Sequence, residues 1–295
     1  MKNFKKFAFA SMLAMMAIVP ASAQIFYKVE KDGSDKTSYL LGTHHFAPLA
    51  VVDSIQELPS ILARIDRLYG EVDMQAMSDP AVLMGMQQLF IAPADSTLDR
   101  LLTVEQLDSV KVVWDRFAEG AMPFEMLKMM KPSLISTQLA SMMAMKTLPD
   151  LNPLEGIDIT MQNRARELGK PVGGLETVEF QLDMLYNQPL EKQAQALMET
   201  VRNADTYEEK AAELTNAYLS HDIQKILDLM VEAENDDPEA IEKMLYARNE
   251  NWISQLAAEM PQESLMVVVG AGHLPGERGV IEGLRKAGFT VTPIK

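Results

Sequence analysis

The chain has 295 residues, a formal net charge of −15 at pH 7 and no cysteine. A surface this negative repels nucleic-acid phosphates, which argues against a nucleic-acid partner. The absence of cysteine excludes disulfides, a cysteine nucleophile and thiolate metal ligands, so any metal ion must be bound by His, Asp, Glu or backbone groups.

The first 23 residues are predicted to be a secretory signal peptide. Three lysines precede an apolar stretch, and "ASA" at 21–23 forms an A-x-A cleavage site. The apolar run is shorter than the roughly 20 residues that a membrane span requires, which argues against a membrane anchor. Cleavage removes three lysines and no acidic residue, so the net charge falls from −15 to −18. We therefore expect an exported protein, periplasmic or secreted, without a stable membrane anchor.

The first elements of the mature chain are predicted to be strands. The segments "IFYKVEKDG" and "TSYLLGTHH" are predicted to be two strands joined by a turn at Asp32-Gly33. A helix over 53–65 follows, and "DRLYGEVDM" at 66–74 predicts a third strand that ends near Glu71.

The middle of the chain is predicted to be helical from about 78 to 165. One helix opens with Thr103 and Gln106 at capping-box spacing, and another amphipathic segment is interrupted at Pro132. A short strand is expected at 170–173, and further helices broken by polar or proline-bearing joints follow it.

The chain ends with a predicted strand at 264–270, a helix at 277–287 and a strand at 289–294. Strands at both ends with helices between them predict an α/β (α+β) fold. We expect a small sheet formed from both chain ends and covered by a large helical insertion, about 78–260, within one domain of residues 24–295.

Two of the four histidines follow predicted strands at the same distance from a glycine. His45 lies three residues after Gly42, and His273 lies three residues after Gly270. Functional groups of α/β sheets gather just past the carboxyl ends of strands, and Glu71 lies at such a position too. We predict that His45, His273 and Glu71 share one site.

Each of these residues also has an ordinary structural interpretation. A histidine after a strand is more often a turn or hydrogen-bonding group than a ligand, and an acid at a strand end can belong to an exposed edge. His44 is expected to face away from His45 if the strand continues. His221 is expected to be a surface or capping residue, and Asp73 to share the strand face of Glu71.

Two histidines and one or two carboxylates are a plausible ligand set for a divalent metal ion such as Mn, Co or Zn. A bound metal would lower the pKa of its water, with a nearby carboxylate as general base. The chain has no H-E-x-x-H motif and no G-x-S-x-G motif, which argues against a zincin and against Ser–His–Asp catalysis.

Five segments together resemble the TraB/GumN family, whose relatives include the Tiki metalloproteases. They occur in the family's order and span nearly the whole mature chain: "YLLGTHH", "YGEVDM", "KPVGGLETVEFQ", "YARNENW" and "VVVGAGHLPGERGVIEGLRKAGFTV". The paired G-x-x-H motifs of the family match 42–45 and 270–273. The first motif more often reads G-T-I-H, so His44 is a departure that adds a further candidate ligand.

The resemblance also implies functional residues outside the two motifs. The family's glutamates match Glu71 and Glu176, and its R-N pair matches Arg248 and Asn249. Catalytic roles are therefore expected for Glu71, Glu176 and Arg248. Arg248 would hold a carboxylate in place or stabilise an oxyanion.

The Tiki-like relatives imply metal-dependent hydrolysis of peptides. We therefore predict an exported metal-dependent hydrolase of the peptidase type, acting on a peptide or small-molecule substrate, with a divalent metal bound by His45, His273 and Glu71. ChaN-like members of the wider superfamily imply an alternative, a non-catalytic haem- or peptide-binding protein. Erythromycin esterase-like members imply another, a metal-free esterase that uses His and Glu as acid and base.

Overall fold

The computed structural model describes residues 24–118, 122–147, 156–234 and 237–294. The predicted signal peptide, residues 1–23, lies outside the described residues, so export remains a prediction. Within the described ranges, no helix combines the length and the apolar composition that a membrane crossing requires.

The described residues contain a six-stranded mixed sheet with the strand order β4-β3-β5-β2-β1-β6. Strands β2, β5, β3 and β4 are parallel, and β1 pairs antiparallel with both β2 and β6. The strands are β1 Phe26–Lys31, β2 Thr37–Thr43, β3 Arg67–Gly70, β4 Val172–Gly174, β5 Leu265–Gly270 and β6 Phe289–Pro293.

Helices connect β3 to β4 and β4 to β5, and shorter ones precede β3 and β6. The α-helices are α1 Ala50–Asp53, α2 Leu58–Arg64, α3 Pro80–Phe90, α4 Leu98–Leu101, α5 Val104–Ala118, α6 Phe124–Leu127, α7 Pro132–Thr147, α8 Ile157–Glu167, α9 Val178–Tyr186, α10 Leu190–Arg202, α11 Tyr207–Leu219, α12 Ile223–Ala233, α13 Pro238–Ile241, α14 Ala247–Glu259 and α15 Val280–Lys286. The described residues also form two 3₁₀ turns, Met74–Ser78 and Ala271–His273, and one π-helical turn, Glu242–Tyr246.

The sheet carries the main hydrophobic core. Strand β5 lies inside the sheet with parallel partners on both sides, and Leu265–Val269 are at most 1% exposed. A continuous apolar run of this kind is typical of a parallel strand covered on both faces. The helices that bury residues in this core are α1, α2, α8, α11, α12, α14 and α15.

A second core lies within the helical part of the chain. Trp114 of α5, Leu139 of α7 and Leu197 of α10 are at most 2% exposed and belong to one apolar cluster. The helices between the strands therefore pack on one another as well as on the sheet, which gives them a fixed position over it.

The predicted fold class is confirmed: the sheet contains strands from both chain ends, and many helices cover it. The capping box is confirmed as well, because the Thr103 N–H donates to Gln106 Oε1 at 2.9 Å and the Gln106 N–H donates to Thr103 Oγ1 at 3.3 Å. The predicted strand at 170–173 forms at Val172–Gly174, so the helical stretch supplies one edge strand itself.

Replacing Gly42 with Ala should destabilise the protein. A Cβ at this position would lie 2.9 Å from Leu274 Cδ1 and 3.1 Å from Ala271 Cα, and overpacking of this kind costs about 1–3 kcal/mol. Gly85 of α3 is the matched control, since it is exposed and nothing lies within 4 Å of its Cβ position. Gly85→Ala should raise the free energy of unfolding by up to about 1 kcal/mol. Urea unfolding of both variants measures the two effects, and an unchanged stability for Gly42→Ala would contradict the close packing.

Candidate functional site at the carboxyl ends of the parallel strands

The parallel strands end along one edge of the sheet. Thr43 at the end of β2 pairs with Gly270 at the end of β5, and Gly70 of β3 pairs with Gly174 of β4. The residues that follow these ends are therefore brought together, although they are far apart in the sequence. They include His45, Glu71, Glu176 and His273.

A cavity of about 300 Å³ lies at this edge. Its lining includes four of the five predicted site residues, which we call the polar floor: His45, Glu71, Arg248 and His273. The fifth, Glu176, is not among the lining residues, and its side chain is only 7% exposed. The structure thus places both histidines, Glu71 and Arg248 on one cavity, with Glu176 behind them.

The Arg248 guanidinium connects the buried groups. Its Nη2 donates to Glu71 Oε2 and Glu176 Oε1, both at 2.6 Å, and its Nε donates to Glu176 Oε2 at 3.0 Å. Its Nη1 donates to the Met244 carbonyl at 2.8 Å and lies 3.1 Å from His273 Nε2. Arginine has five N–H donors, and these contacts provide an acceptor for each of them. Burial opposes the charge, but hydrogen bonds and the charges of the two glutamates raise the pKa of Arg248.

Both oxygens of Glu71 are bonded. Oε1 accepts from the Gly270 N–H at 2.8 Å, and Oε2 accepts from Arg248 and from Gln181 Nε2 at 3.0 Å. Burial alone would raise the pKa of Glu71, but the charges of protonated His273 and of Arg248 outweigh it and lower the pKa to about 2. Glu71 is therefore ionised at neutral pH and is a weak proton acceptor.

The tautomer of His273 follows from its neighbour. Asn249 Nδ2 donates to the carbonyls of His273 and Arg278, so Asn249 Oδ1 accepts from His273 Nδ1, 2.6 Å away. The lone pair of His273 is therefore on Nε2, which faces Arg248 and lies 3.7 Å from Glu71 Oε1. Burial lowers the pKa of His273 to about 4, so the ring is neutral at neutral pH.

His45 lies at the open side of the cavity, and its side chain is 72% exposed. Its Nδ1 lies 3.1 Å from Asp158 Oδ2, while Thr43 donates to the other oxygen of Asp158 at 2.8 Å. The hydrogen bond and charge of Asp158 raise the pKa of His45 to about 9. Asp158 thus orients the ring and leaves Nε2 available to another partner.

The expectation that His44 faces away from the site is wrong. Strand β2 ends at Thr43, so the strand alternation does not continue, and His44 lines the same cavity as His45. Its Nε2 lies 3.2 Å from Thr215 Oγ1, and its ring centroid is 5.6 Å from that of Tyr218.

The other two polar residues considered from the sequence lie outside the cavity. His221 lies between α11 and α12 with φ 61°, and its N–H donates to the Tyr218 carbonyl at 2.9 Å. Asp73 caps the turn at 74–78 and forms an ion pair with Arg166.

Sequence reasoning missed two contacts of the site. Gln181 Nε2 donates to Glu71 and, at 3.1 Å, to Glu176 Oε1. It lies five residues after Glu176 in "GLETVEFQ", which is neither an i,i+3 nor an i,i+4 spacing, so no helical pattern identifies it. Asp158 lies in the first turn of α8 without a local motif, and only the folded structure places it against His45.

The fold and the site define an α/β protein with histidines, carboxylates and a buried arginine at the carboxyl ends of its parallel strands. The chain belongs to the TraB/PrgY/gumN family, whose model matches residues 25–293.

Two bacterial relatives show the same level of similarity. The uncharacterized protein YbaP of Escherichia coli (strain K12) is 28% identical over 261 residues, which cover 83% of this chain and 84% of that protein. YbaP of Shigella flexneri matches with the same identity and coverage. No solved structure matches the chain.

Replacing Arg248 with Ala should cost about 3–5 kcal/mol of stability, because it leaves two buried carboxylates without their cation. Arg278 is a matched control: it also binds two glutamates, Glu242 and Glu250, and lies over an aromatic ring, but it is 40% exposed. Arg278→Ala should cost much less stability than Arg248→Ala, because exposed ion pairs contribute little to stability. Chemical denaturation of both variants compares the sites, and equal losses would contradict a buried ionic centre.

The stability should fall as the pH is lowered from about 6.5 to 4. Burial lowers the pKa of His44 to about 4, so in this interval the unfolded chain binds a proton that the folded chain does not. In His44→Gln the slope of the free energy of unfolding against pH should be shallower over this interval. Above pH 7.5 the slopes of the variant and the wild type should coincide. Equal slopes below pH 6.5 would show that His44 is not held neutral by the fold.

Proposed function

We propose that this chain is an exported metal-dependent hydrolase of the peptidase type, with His45, His273 and Glu71 as the metal ligands. The observation that carries the proposal is the pairing of two histidines on one cavity, each oriented by a bond from Nδ1 to a side-chain oxygen, so that Nε2 is the ring nitrogen that could bind a metal ion. Metal-binding histidines are commonly oriented in this way. The peptide substrate is inferred from the resemblance to the Tiki metalloproteases.

The donor atoms suit a divalent ion of the Mn, Co or Zn type. His273 Nε2 and Glu71 Oε1 are 3.7 Å apart, which two ligands of one ion can span because each bond is about 2.0–2.2 Å long. When bound, the ion would lower the pKa of a water and make it a nucleophile at neutral pH.

Two observations limit this fit. In the described part of the chain, no three His, Asp or Glu side chains are already arranged as a metal site. In addition, Arg248 Nη1 lies against the Nε2 atom of His273 that would bind the ion. Metal binding therefore requires Arg248 to give up this one contact while it keeps its bonds to the two glutamates.

Arg248 and Glu176 are not among the proposed metal ligands, and we assign them the role of positioning Glu71. Since all five N–H groups of Arg248 have acceptors, it has none left for an oxyanion, and we assign it the role of holding Glu71. Glu176 lies behind the cavity and holds Arg248. With a pKa of about 2, Glu71 suits an anionic ligand better than a general base.

The Arg248–His273 contact also favours a second candidate, a metal-free hydrolase such as the esterase implied by the wider superfamily. With Arg248 in place, the protein's own cation occupies the position next to His273 Nε2. His45, with a pKa of about 9, then carries a proton that it can donate to a leaving group.

Metal titration separates the two candidates. Purified protein should bind about one equivalent of Mn²⁺, Co²⁺ or Zn²⁺, and His45→Ala should lose it while His221→Asn, outside the cavity, should keep it. Hydrolysis of a peptide library should stop in chelator and return with metal. No stoichiometric metal in the wild type would overturn the metal proposal, and full activity in chelator would favour the metal-free enzyme.

The haem-binding alternative is tested with the same proteins. A Soret shift on adding haem that disappears in His45→Ala would support axial ligation by this exposed histidine.

A further inference from the structure

We propose that the part of the cavity formed by the helices binds a compact, uncharged apolar group joined to the carbonyl of the bond that is cleaved. The group is the side chain of a peptide residue or the acyl chain of an ester. This inference rests on the proposed hydrolase function and specifies its substrate.

The lining of the cavity has two chemically distinct sides. The polar floor lies at the strand ends and the adjoining helix α14. The opposite side, which we call the apolar roof, comes from α7, α11, α12 and the π-helical turn. Its aliphatic residues are Ala144, Ala211, Leu214, Ile226, Met230, Met244 and Leu245, and Tyr207 of α11 adds an aromatic ring with one hydroxyl.

At the boundary between the polar floor and the apolar roof, two polar side chains bond to each other and not to a ligand. His44 and Thr215 both line the cavity, but His44 Nε2 and Thr215 Oγ1 lie 3.2 Å apart and bond to each other. A substrate group on the roof side therefore gains from apolar contact, since few polar partners are available there.

The roof is anchored directly on the second G-x-x-H motif. A Cβ at position 272 would overlap the Met230 sulfur, so Gly272 allows Met230 to lie against the backbone one residue before His273. The apolar surface is thus continuous with the histidine that faces Glu71. A group bound under Met230 places its attached carbonyl next to the polar floor.

Size and charge define the ligand further. The cavity of about 300 Å³ is at the small end of ligand sites, and Ala144 and Ala211 leave room that larger side chains would fill. Arg248 is paired with Glu71 and Glu176, and His45 is bonded to Asp158, so the floor has no unpaired cation for a carboxylate. An amide or ester carbonyl suits the site better than a free acid.

Two variants should shift the substrate preference in opposite directions. Ala211→Leu narrows the roof, and Met230→Ala widens it. Ala196→Leu is the matched control, because Ala196 is exposed on α10 and outside the cavity. General loss of stability would not produce opposite shifts.

Activity is measured as kcat/KM on fluorogenic peptides that differ only in the residue on the carbonyl side of the cleaved bond, as Gly, Val, Leu or Phe. A parallel series of 4-nitrophenyl acetate, butanoate and hexanoate separates the acyl source from the peptide source. The wild type should prefer Leu over Gly at least tenfold. Ala211→Leu should reduce the Phe-to-Val ratio about tenfold, Met230→Ala should increase it, and Ala196→Leu should leave it unchanged.

Binding is measured without chemistry by the fluorescence of N-phenyl-1-naphthylamine, an uncharged apolar probe. The wild type and Ala196→Leu should enhance its fluorescence, and Ala211→Leu should weaken its binding at least tenfold. Binding that responds in this way with no hydrolysis of any substrate would support the apolar site and overturn the hydrolase. Hydrolysis with the same substrate preferences in all variants would overturn the apolar site and leave the hydrolase standing. Failure of the wild type to bind the probe would likewise overturn the apolar site without contradicting the hydrolase.

Discussion

Arg248 carries a permanent positive charge into a region where its side chain is 5% exposed, and Glu71 and Glu176 compensate for that charge. A buried charge is tolerated only when it is paired and hydrogen-bonded. Glu71 follows β3 and Glu176 follows β4, while Arg248 belongs to α14. One guanidinium therefore ties two strand ends to a helix, and through His273 it reaches the end of β5 as well. The positions of Glu71, Glu176 and His273 depend on this arrangement.

The site combines contributions from two parts of the chain with different roles. The strand ends supply charged and hydrogen-bonding groups whose positions are set by the sheet register. The helices between the strands supply apolar surface, and one of them, α7, also packs into the core around Trp114 and Leu197. Changes on the helical side can alter what fits without disturbing the ionic contacts, because the two sets of side chains share few bonds.

The fold was predictable from the sequence because its signals are local. Alternation, a glycine turn and helix caps identify the strands and helices, and the matched glycine–histidine spacing identifies two strand ends. Parallel strand ends meet at one edge by geometry, so the proximity of His45, His273 and Glu71 followed from the strand assignments alone.

The contacts within the site were not predictable in the same way. Arg248 lies 177 residues from Glu71, and Asp158 lies 113 residues from His45, so no local pattern relates them. The prediction for His44 failed for a different reason: it assumed that strand β2 continued through His44 and His45, whereas the strand ends at Thr43. A shift of one residue at a strand end reverses the direction of a side chain.

The π-helical turn at Glu242–Tyr246 has a consequence for how this region of the chain can vary. A π-helical turn accommodates one more residue than an α-helical turn, and one residue corresponds to about 100° of rotation around a helix axis. The number of residues in this turn therefore sets the rotation of α14 about its axis. That rotation decides the direction in which Arg248, Asn249 and Trp252 point. Substitutions within this turn are compatible with the same geometry, whereas the gain or loss of a single residue would rotate the arginine away from its glutamates.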